Sequence, residues 1–423
     1  MSLASIDSTK ANREIKTSFL DTSAKKILFK TLKGLKAGRL VIQEGNQILE
    51  FGESAEQATL TGHIFIHHSS AYRDIVFGGS IGAGESYMLN SWSSSNLVDV
   101  IRLMTINLET MDKIDSSKSL LRRLSSKFFH FLNINTSSGS RKNISAHYDL
   151  GNDFFSLFLD PTMMYSSAIF PSSTSTLEQA SQYKLDTICK KLQLSASDHL
   201  IEIGTGWGGM AIHAAKHYGC RVTTTTISQE QYDYACAAVK KAGLEDKVTL
   251  LLKDYRDLEG QYDKLVSIEM IEAVGHQYYN SYFQKCSSLL KPDGLMLIQS
   301  ITIADDRYHH AKKNVDFIQR YIFPGGCLPS TEVIAQCTAQ NTDLNIVDEH
   351  DIGQDYAITL QHWRKRFNAN LDTVKAMGFN DTFCRMWEFY LCYCEGGFIE
   401  KAISTVQVVF AKPEAITINQ PIR

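Results

Sequence analysis

The spacing of hydrophobic positions changes along the chain, and the change divides it. From about residue 146 onward, short apolar runs alternate with longer stretches of helical period. Runs near 199–203, 221–227, 248–253, 262–268, 294–302, 344–349 and 405–411 predict seven strands, and the helical stretches between them predict a mostly parallel α/β sheet covered on both faces. The first run, His199-Leu200-Ile201-Glu202-Ile203, enters a glycine turn, Gly204-Thr205-Gly206-Trp207-Gly208-Gly209, and Met210 to Ala215 reads as the start of a helix. A strand, a glycine turn and a helix N-terminus make a place to hold a small polar ligand. Gly204 and Gly206 let the backbone approach it, Gly209 is expected to let the helix pack on the strand, and Glu202 is expected to put a carboxylate nearby.

Residues 1–110 carry a different pattern. Arg39–Ile42, Ala58–Ile66 and Ala71–Val76 alternate as strands do, and Leu97–Thr110 has helical period. The glycine-rich piece Gly78–Met88 lacks the Lys-Ser/Thr of a phosphate loop, so it reads as a bend between elements. The expectation is a small α+β domain. Residues 111–145, rich in Ser, Lys, Arg and Asn, read as a linker containing the loop Thr136–Ser140 and a short basic and apolar helix, Ser119–Leu132, suited to touch a membrane or, the favoured reading, to dock on the domain of residues 146–423.

Composition adds bounds. At 423 residues and 43% hydrophobic, the chain has material for two or three globular domains. A net charge of −3 and a pI near 6.5 carry no nucleic-acid signature. Local charge is another matter. No acid falls between Asp21 and Glu44, whereas Lys25, Lys26, Lys30, Lys33, Lys36 and Arg39 interleave with Ile27, Leu28, Phe29, Leu32 and Leu35. That is a basic amphipathic helix, suited either to its own domain or to an anionic membrane surface. Nine cysteines without paired spacing, no signal peptide and no long apolar run predict a cytoplasmic protein without a metal site.

The strand ends narrow the ligand. A dinucleotide site wants an acid about 20 residues after the glycines, and there the chain reads Arg221-Val222-Thr223-Thr224-Thr225-Thr226-Ile227. Ser228-Gln229-Glu230-Gln231 is a capping-box arrangement that places Thr226 and Gln231 at the end of the second strand. The third strand ends in Asp254-Tyr255, a carboxylate suited to an adenine amino group, and the fourth runs into Ile268-Glu269-Met270-Ile271-Glu272. This set favours a sulfonium methyl donor over a dinucleotide. Aromatic-rich stretches at His147–Phe155, Asp316–Gly326 and His362–Phe367 lie where lids and substrate pockets are made.

These residues also carry a family resemblance. His147–Asp153, Tyr165-Ser166-Ser167-Ala168, Glu202–Gly209, Thr226-Ile227-Ser228 with Gln231, Asp254–Leu258, Tyr321–Ser330 and Glu395–Phe398 resemble the cyclopropane-fatty-acyl-phospholipid synthases and mycolic acid methyltransferases over about residues 143–412. The resemblance implies a seven-stranded, Rossmann-like S-adenosylmethionine-dependent methyltransferase domain behind a lipid-engaging N-terminal domain. It implies donor binding by Tyr165, Ser166, Glu202, Gly204, Gly206, Thr226, Gln231, Asp254, Tyr255 and Arg256. The implied reaction moves the methyl group to a cis double bond of a phospholipid acyl chain and removes a proton so that a cyclopropane ring closes. Implied partners are unsaturated acyl chains, an anionic membrane surface touched peripherally, and a second copy in a homodimer.

An alkene is a poor nucleophile, so positioning in a dry pocket must do most of the work, and aromatic faces steady the resulting carbocation by ~2 kcal/mol or more. A base must follow. In the family a bound bicarbonate serves, held by a cysteine, a glutamate, a histidine and a tyrosine. The glutamate maps to Glu272 and the tyrosine to Tyr356, but the cysteine is replaced by Ser167 and the histidine by Gln299. Both replacements still donate hydrogen bonds, so an anion is expected in altered form. Cys394 retains a second family cysteine, and His276 is a substitute base or a surface histidine. Beside ring formation stand a methyl-branched or methylene product and a lipid-binding protein without turnover.

Overall fold

A computed structural model describes residues 18–111 and 150–415. They divide into two compact units, residues 18–111 with 380–389, and residues 150–379 with 390–415. The predicted linker helix Ser119–Leu132, the loop Thr136–Ser140 and the stretch His147–Asp149 lie outside the described residues.

The larger unit is built on a seven-stranded sheet. Its strands are β5 (His199–Ile203), β6 (Arg221–Thr226), β7 (Val248–Leu252), β8 (Tyr262–Ile268), β9 (Leu290–Ile303), β10 (Asn345–Asp351) and β11 (Ile403–Ala411). They lie in the order β10-β11-β9-β8-β5-β6-β7, with β11 antiparallel to both neighbours and the other pairs parallel. All seven predicted strands form. Their apolar runs are nearly continuous because both faces are covered. Leu200, Val222 and Leu297 pack with Leu185, Ile188, Met210 and Ala214 on one face, while Ile201, Ile203, Met296 and Ile298 pack with Tyr282 and Phe283 on the other. Each such aliphatic side chain contributes about 1.5–3 kcal/mol by leaving water. A doubly covered parallel sheet leaves its carboxyl edge open to ligands.

The smaller unit has a four-stranded sheet, ordered β2 (Gln47–Gly52), β1 (Arg39–Glu44), β3 (Thr61–Ile66) and β4 (Trp92–Ser93). The basic segment folds as the helix Phe19–Leu32, capped by the Ser18 side chain, with Ala24, Leu28 and Leu32 buried. Two expectations fail here. Ala71–Val76 is no strand, and Gly78–Met88 no bend between elements: both belong to the helix Ser70–Met88, kinked at Gly79 where φ is +59°. Six alternating residues also fit helical spacing, since Tyr72 and Val76 share one buried face. Gly82 makes the kink compact, because a Cβ there would stand 1.9 Å from the Asp74 carbonyl oxygen. Strands β2 and β4 escaped the sequence reading, and of Ala58–Ile66 only Thr61–Ile66 is strand. Leu97–Thr110 is helical over Leu97–Ile106.

Candidate active site

The carboxyl ends of β5, β6 and β7 carry the residues expected to bind the donor. Gly204 and Gly206 hold φ of +101° and +52°, which L side chains rarely adopt, so their backbone is bare and half-exposed. The loop is pinned from below: the Gly204 and Thr205 N–H groups both donate to the Thr225 carbonyl at 3.0 Å. Glu202 is placed differently from expectation. It is buried beneath the loop, where Thr224 Oγ1 donates to it at 2.7 Å and Thr205 and Thr224 share a hydroxyl contact of 2.7 Å. Its carboxylate supports the turn instead of facing a ligand. Gly209 likewise packs elsewhere, since a Cβ there would meet Thr162 O at 2.7 Å and Met164 Sδ at 2.8 Å, not the strand.

At the end of β6, Thr226 Oγ1 donates to Gln231 Oε1 at 3.0 Å. Half of the expected capping box is present: Ser228 accepts from the Gln231 N–H at 3.3 Å, and the Gln231 side chain turns to Thr226. At the end of β7, Arg256 grips Asp254 through its backbone N–H at 3.0 Å, Nε at 2.9 Å and Nη2 at 2.7 Å. Tyr255 packs on Tyr282 and under the Arg256 guanidinium.

The ends of β8 and β9 carry a different chemistry, and Glu269 is its centre. Its Oε1 accepts from the Ser167 N–H at 2.9 Å and Gln299 Nε2 at 2.8 Å, and its Oε2 accepts from the Tyr356 hydroxyl at 2.7 Å. Gln299 lies opposite Ile268 in the sheet and is itself fixed by Gln407 Nε2 at 3.0 Å. Glu269 holds φ of +49°, a left-handed conformation. Glu272 turns the other way. Its Oε1 accepts from the Ile301 N–H at 2.5 Å and Ser300 Oγ at 3.1 Å, and its buried Oε2 has no hydrogen-bond partner among the described residues. Burial, then the Glu269 charge, raises the Glu272 pKa to about 8.

Below this pair lies Lys184, wholly buried, with Nζ donating to Ser166 Oγ at 2.8 Å. Burial lowers its pKa to about 8, and the charges of Glu269, Asp160 and Glu202 oppose the shift. Burial raises the Glu202 pKa, against Thr224 and Lys184.

Aromatic rings wall the cluster. Tyr165 is hydrogen-bonded to Tyr390 at 2.8 Å and lies 5.3 Å from both Phe155 and Trp363, while Tyr356 stacks on Phe398 at 4.5 Å. Cys394 sits half-buried, and burial pushes its thiol pKa well up. His276 stands exposed in the turn His276–Tyr278.

Residues 135–408, well over half the chain, match the family described as mycolic acid cyclopropane synthetase. The chain belongs to this family. A cyclopropane-fatty-acyl-phospholipid synthase of Escherichia coli is 37% identical over 374 residues, covering 87% of this chain and 92% of that one. A tuberculostearic acid methyltransferase of Mycobacterium tuberculosis is 40% identical over 343 residues, covering 79% and 80%. A solved mycolic acid cyclopropane synthase, complexed with SAH and CTAB, aligns at TM-score 0.61 and 31% identity over 64% of this chain and 98% of its own. As a mycolic acid cyclopropane synthetase family member, the chain is an S-adenosylmethionine-dependent methyltransferase.

The residues present fit S-adenosylmethionine: bare glycine backbone at β5, a hydroxyl and a carboxamide at β6, and a carboxylate with an aromatic ring at β7. They do not fit the free bicarbonate that the family pattern implies. The Ser167 hydroxyl donates at 2.9 Å to the Ala168 carbonyl, and the Ser167 N–H, Gln299 and Tyr356 are all engaged by Glu269. The structure brings Ser167, Gln299 and Tyr356 together around Glu269, and neither Glu269 nor Lys184 was among the residues expected at the site. Lys184 had a signal, since it shares a helical face with Leu177, Ala180, Ser181 and Ile188, all buried. Glu269 had one too, as the residue directly after an apolar strand.

Proposed function

We propose that the chain transfers a methyl group from S-adenosylmethionine to the cis double bond of an unsaturated phospholipid acyl chain, giving a cyclopropane fatty acid. The observation that carries the reading is the adjacency of two strand ends: β5 ends in the glycine turn, and its sheet neighbour β8 ends in an aromatic-walled group of carboxylates. When bound, the donor supplies an electrophilic methyl on a sulfonium. Gly204 and Gly206 give it room, Thr226 and Gln231 offer hydrogen bonds, and Asp254 and Tyr255 stand at the third strand end beside Arg256. The rings of Tyr165, Trp363, Tyr356 and Phe398 exclude water and face positive charge with their π-electrons.

A second reading gives a methylene or methyl-branched chain from the same transfer. It is favoured by Ser167 and Gln299 standing where the family pattern has cysteine and histidine, and by the tuberculostearic acid methyltransferase among the relatives. Turnover of unsaturated phospholipid vesicles with a donor whose methyl group is fully deuterated separates the products. Two deuteriums retained with ring protons by NMR support the cyclopropane, two with vinylic signals support the methylene, and three support the methyl branch. No turnover sinks all of these and leaves only lipid binding.

Peripheral membrane contact belongs to the same proposal. On the helix Phe19–Leu32, Phe19, Leu20 and Ile27 are 84%, 54% and 46% exposed. Exposed Lys26, Lys30 and Lys33 flank them and make no ion pair with another described residue. Apolar side chains among lysines suit a surface of anionic lipid. No helix among the described residues is long and apolar enough to cross a membrane.

A further inference from the structure

We infer that Glu269 is the general base of this methyl transfer, so that a carboxylate of the chain itself stands where a free anion was expected. The inference rests on the reaction proposed above. There the alkene π pair forms the new bond to the methyl carbon, the C–S pair departs with sulfur, and a cation is left on the second alkene carbon. In ring formation Glu269 Oε takes a proton from the transferred methyl carbon, and the released C–H pair closes the ring onto the cationic carbon. In the methylene product a hydride first moves from the methyl-bearing carbon to the cationic carbon, and loss of a methyl proton to Glu269 then forms the methylene C=C bond; either way the charge on carbon is discharged.

Four observations converge on this residue. First, the three donors to Glu269 are the positions that the family pattern assigns to anion binding: the Ser167 N–H, Gln299 Nε2 and the Tyr356 hydroxyl. A carboxylate offers about four acceptor sites, so three donors orient it with one direction left open, and they favour its ionised form against the burial that raises its pKa. Secondly, the backbone is bent to deliver it. A φ of +49° at a residue with a Cβ is a strained, left-handed conformation. The strain persists because the Glu269 N–H donates to the Gln299 carbonyl at 2.7 Å while its side chain is held at both oxygens.

Thirdly, Glu272 complements it. Two neighbouring carboxylates avoid carrying two charges. Three donors favour the charge on Glu269, and a bare buried oxygen favours the proton on Glu272. The Lys184 ammonium, hydrogen-bonded to Ser166 Oγ, also favours the Glu269 charge. Fourthly, the competing bases are disabled: the Cys394 thiol is held protonated by burial and His276 stands in solvent.

The test uses the full chain with labelled donor and unsaturated phospholipid vesicles, in buffer freed of carbon dioxide and in buffer with added bicarbonate. Wild-type turnover is expected to agree within about twofold in the two buffers. E269Q, the near-isosteric variant, is expected to lose about 100-fold or more in kcat, the usual worth of a positioned base, while its affinity for S-adenosylmethionine changes little. E269G, whose glycine adopts the left-handed φ without strain, is expected to be inactive alone and to recover activity with added formate or bicarbonate.

A wild-type enzyme that stops without bicarbonate and restarts with it overturns the inference. So does E269Q retaining more than about a third of wild-type kcat, or a folded E269G that neither anion rescues. Wild-type protein that methylates no lipid in either buffer refutes the proposed reaction itself, and the role of Glu269 falls with it. Normal wild-type turnover with an active E269Q refutes only the base.

Discussion

At the residue scale, the positions that the family pattern marks have exchanged roles. Ser167 contributes its backbone N–H and not its hydroxyl, which donates to the carbonyl of Ala168. Any side chain that leaves the backbone in place preserves that donor. Gln299 supplies one N–H to Glu269 and is oriented by Gln407. Cys394 lies on the helix Asp381–Ile399, and burial keeps its thiol protonated. A protonated thiol is a poor nucleophile, and methylation of an alkene needs none. C394A is therefore expected to keep kcat within about threefold of wild type, the ordinary effect of trimming a small apolar filler; product formation from labelled donor checks it. A loss of two orders of magnitude would return Cys394 to the chemistry.

At the element scale, the basic helix separates into two sets of lysines. Lys25 is half-buried, pairs with Glu44, and lies 5.5 and 5.3 Å from the rings of Phe29 and Tyr72. Lys36 pairs with Glu109, and Arg39 with Glu50, each at 2.7 Å. These three serve their own unit. Lys26, Lys30 and Lys33 share an exposed side with Ile27. Replacing these three with Gln is expected to weaken binding to anionic vesicles about tenfold or more, since each lysine near such a surface contributes roughly 1 kcal/mol. K25Q is expected to lower thermal stability and leave vesicle affinity nearly unchanged. Co-sedimentation and melting curves separate the two groups, and equal vesicle binding by the triple variant would remove the membrane role of this helix. Sequence period was a poor guide over Ala71–Val76 for a related reason. In six residues, strand and helix spacings share most of their positions, and the glycines that read as a bend serve the kinked helix Ser70–Met88.

At the scale of the whole molecule, the buried carboxylates tie stability to pH. The folded pKa of Glu272 is raised to about 8, so the fold favours its neutral form. That contribution is complete below the ordinary carboxylate range and is lost as pH rises through about 8. E272Q removes the titrating group and keeps an acceptor for the Ile301 N–H. Its larger unit is expected to melt roughly 2–4 °C above wild type at pH 9, the effect of ~1 kcal/mol in a domain of this size, and close to wild type at pH 5. Identical pH dependence in the two proteins would show that Glu272 ionises freely.

The seven strands, the glycine turn and the donor residues at three strand ends were legible in sequence, because each is a local matter of apolar runs, turn residues and spacing. The group around Glu269 was not. Its donors, Gln299, Tyr356 and Ser167, lie 30, 87 and 102 residues away, and strand order and register alone decide that they meet. Burial was equally hidden: Lys184 and Glu202 are ionisable side chains, and packing on both faces of the sheet enclosed them. In the proposed reaction the glycine turn holds the methyl donor. In the inferred mechanism, which carboxylate receives the proton depends on donors counted in space: three converge on Glu269, and none among the described residues reaches one oxygen of Glu272.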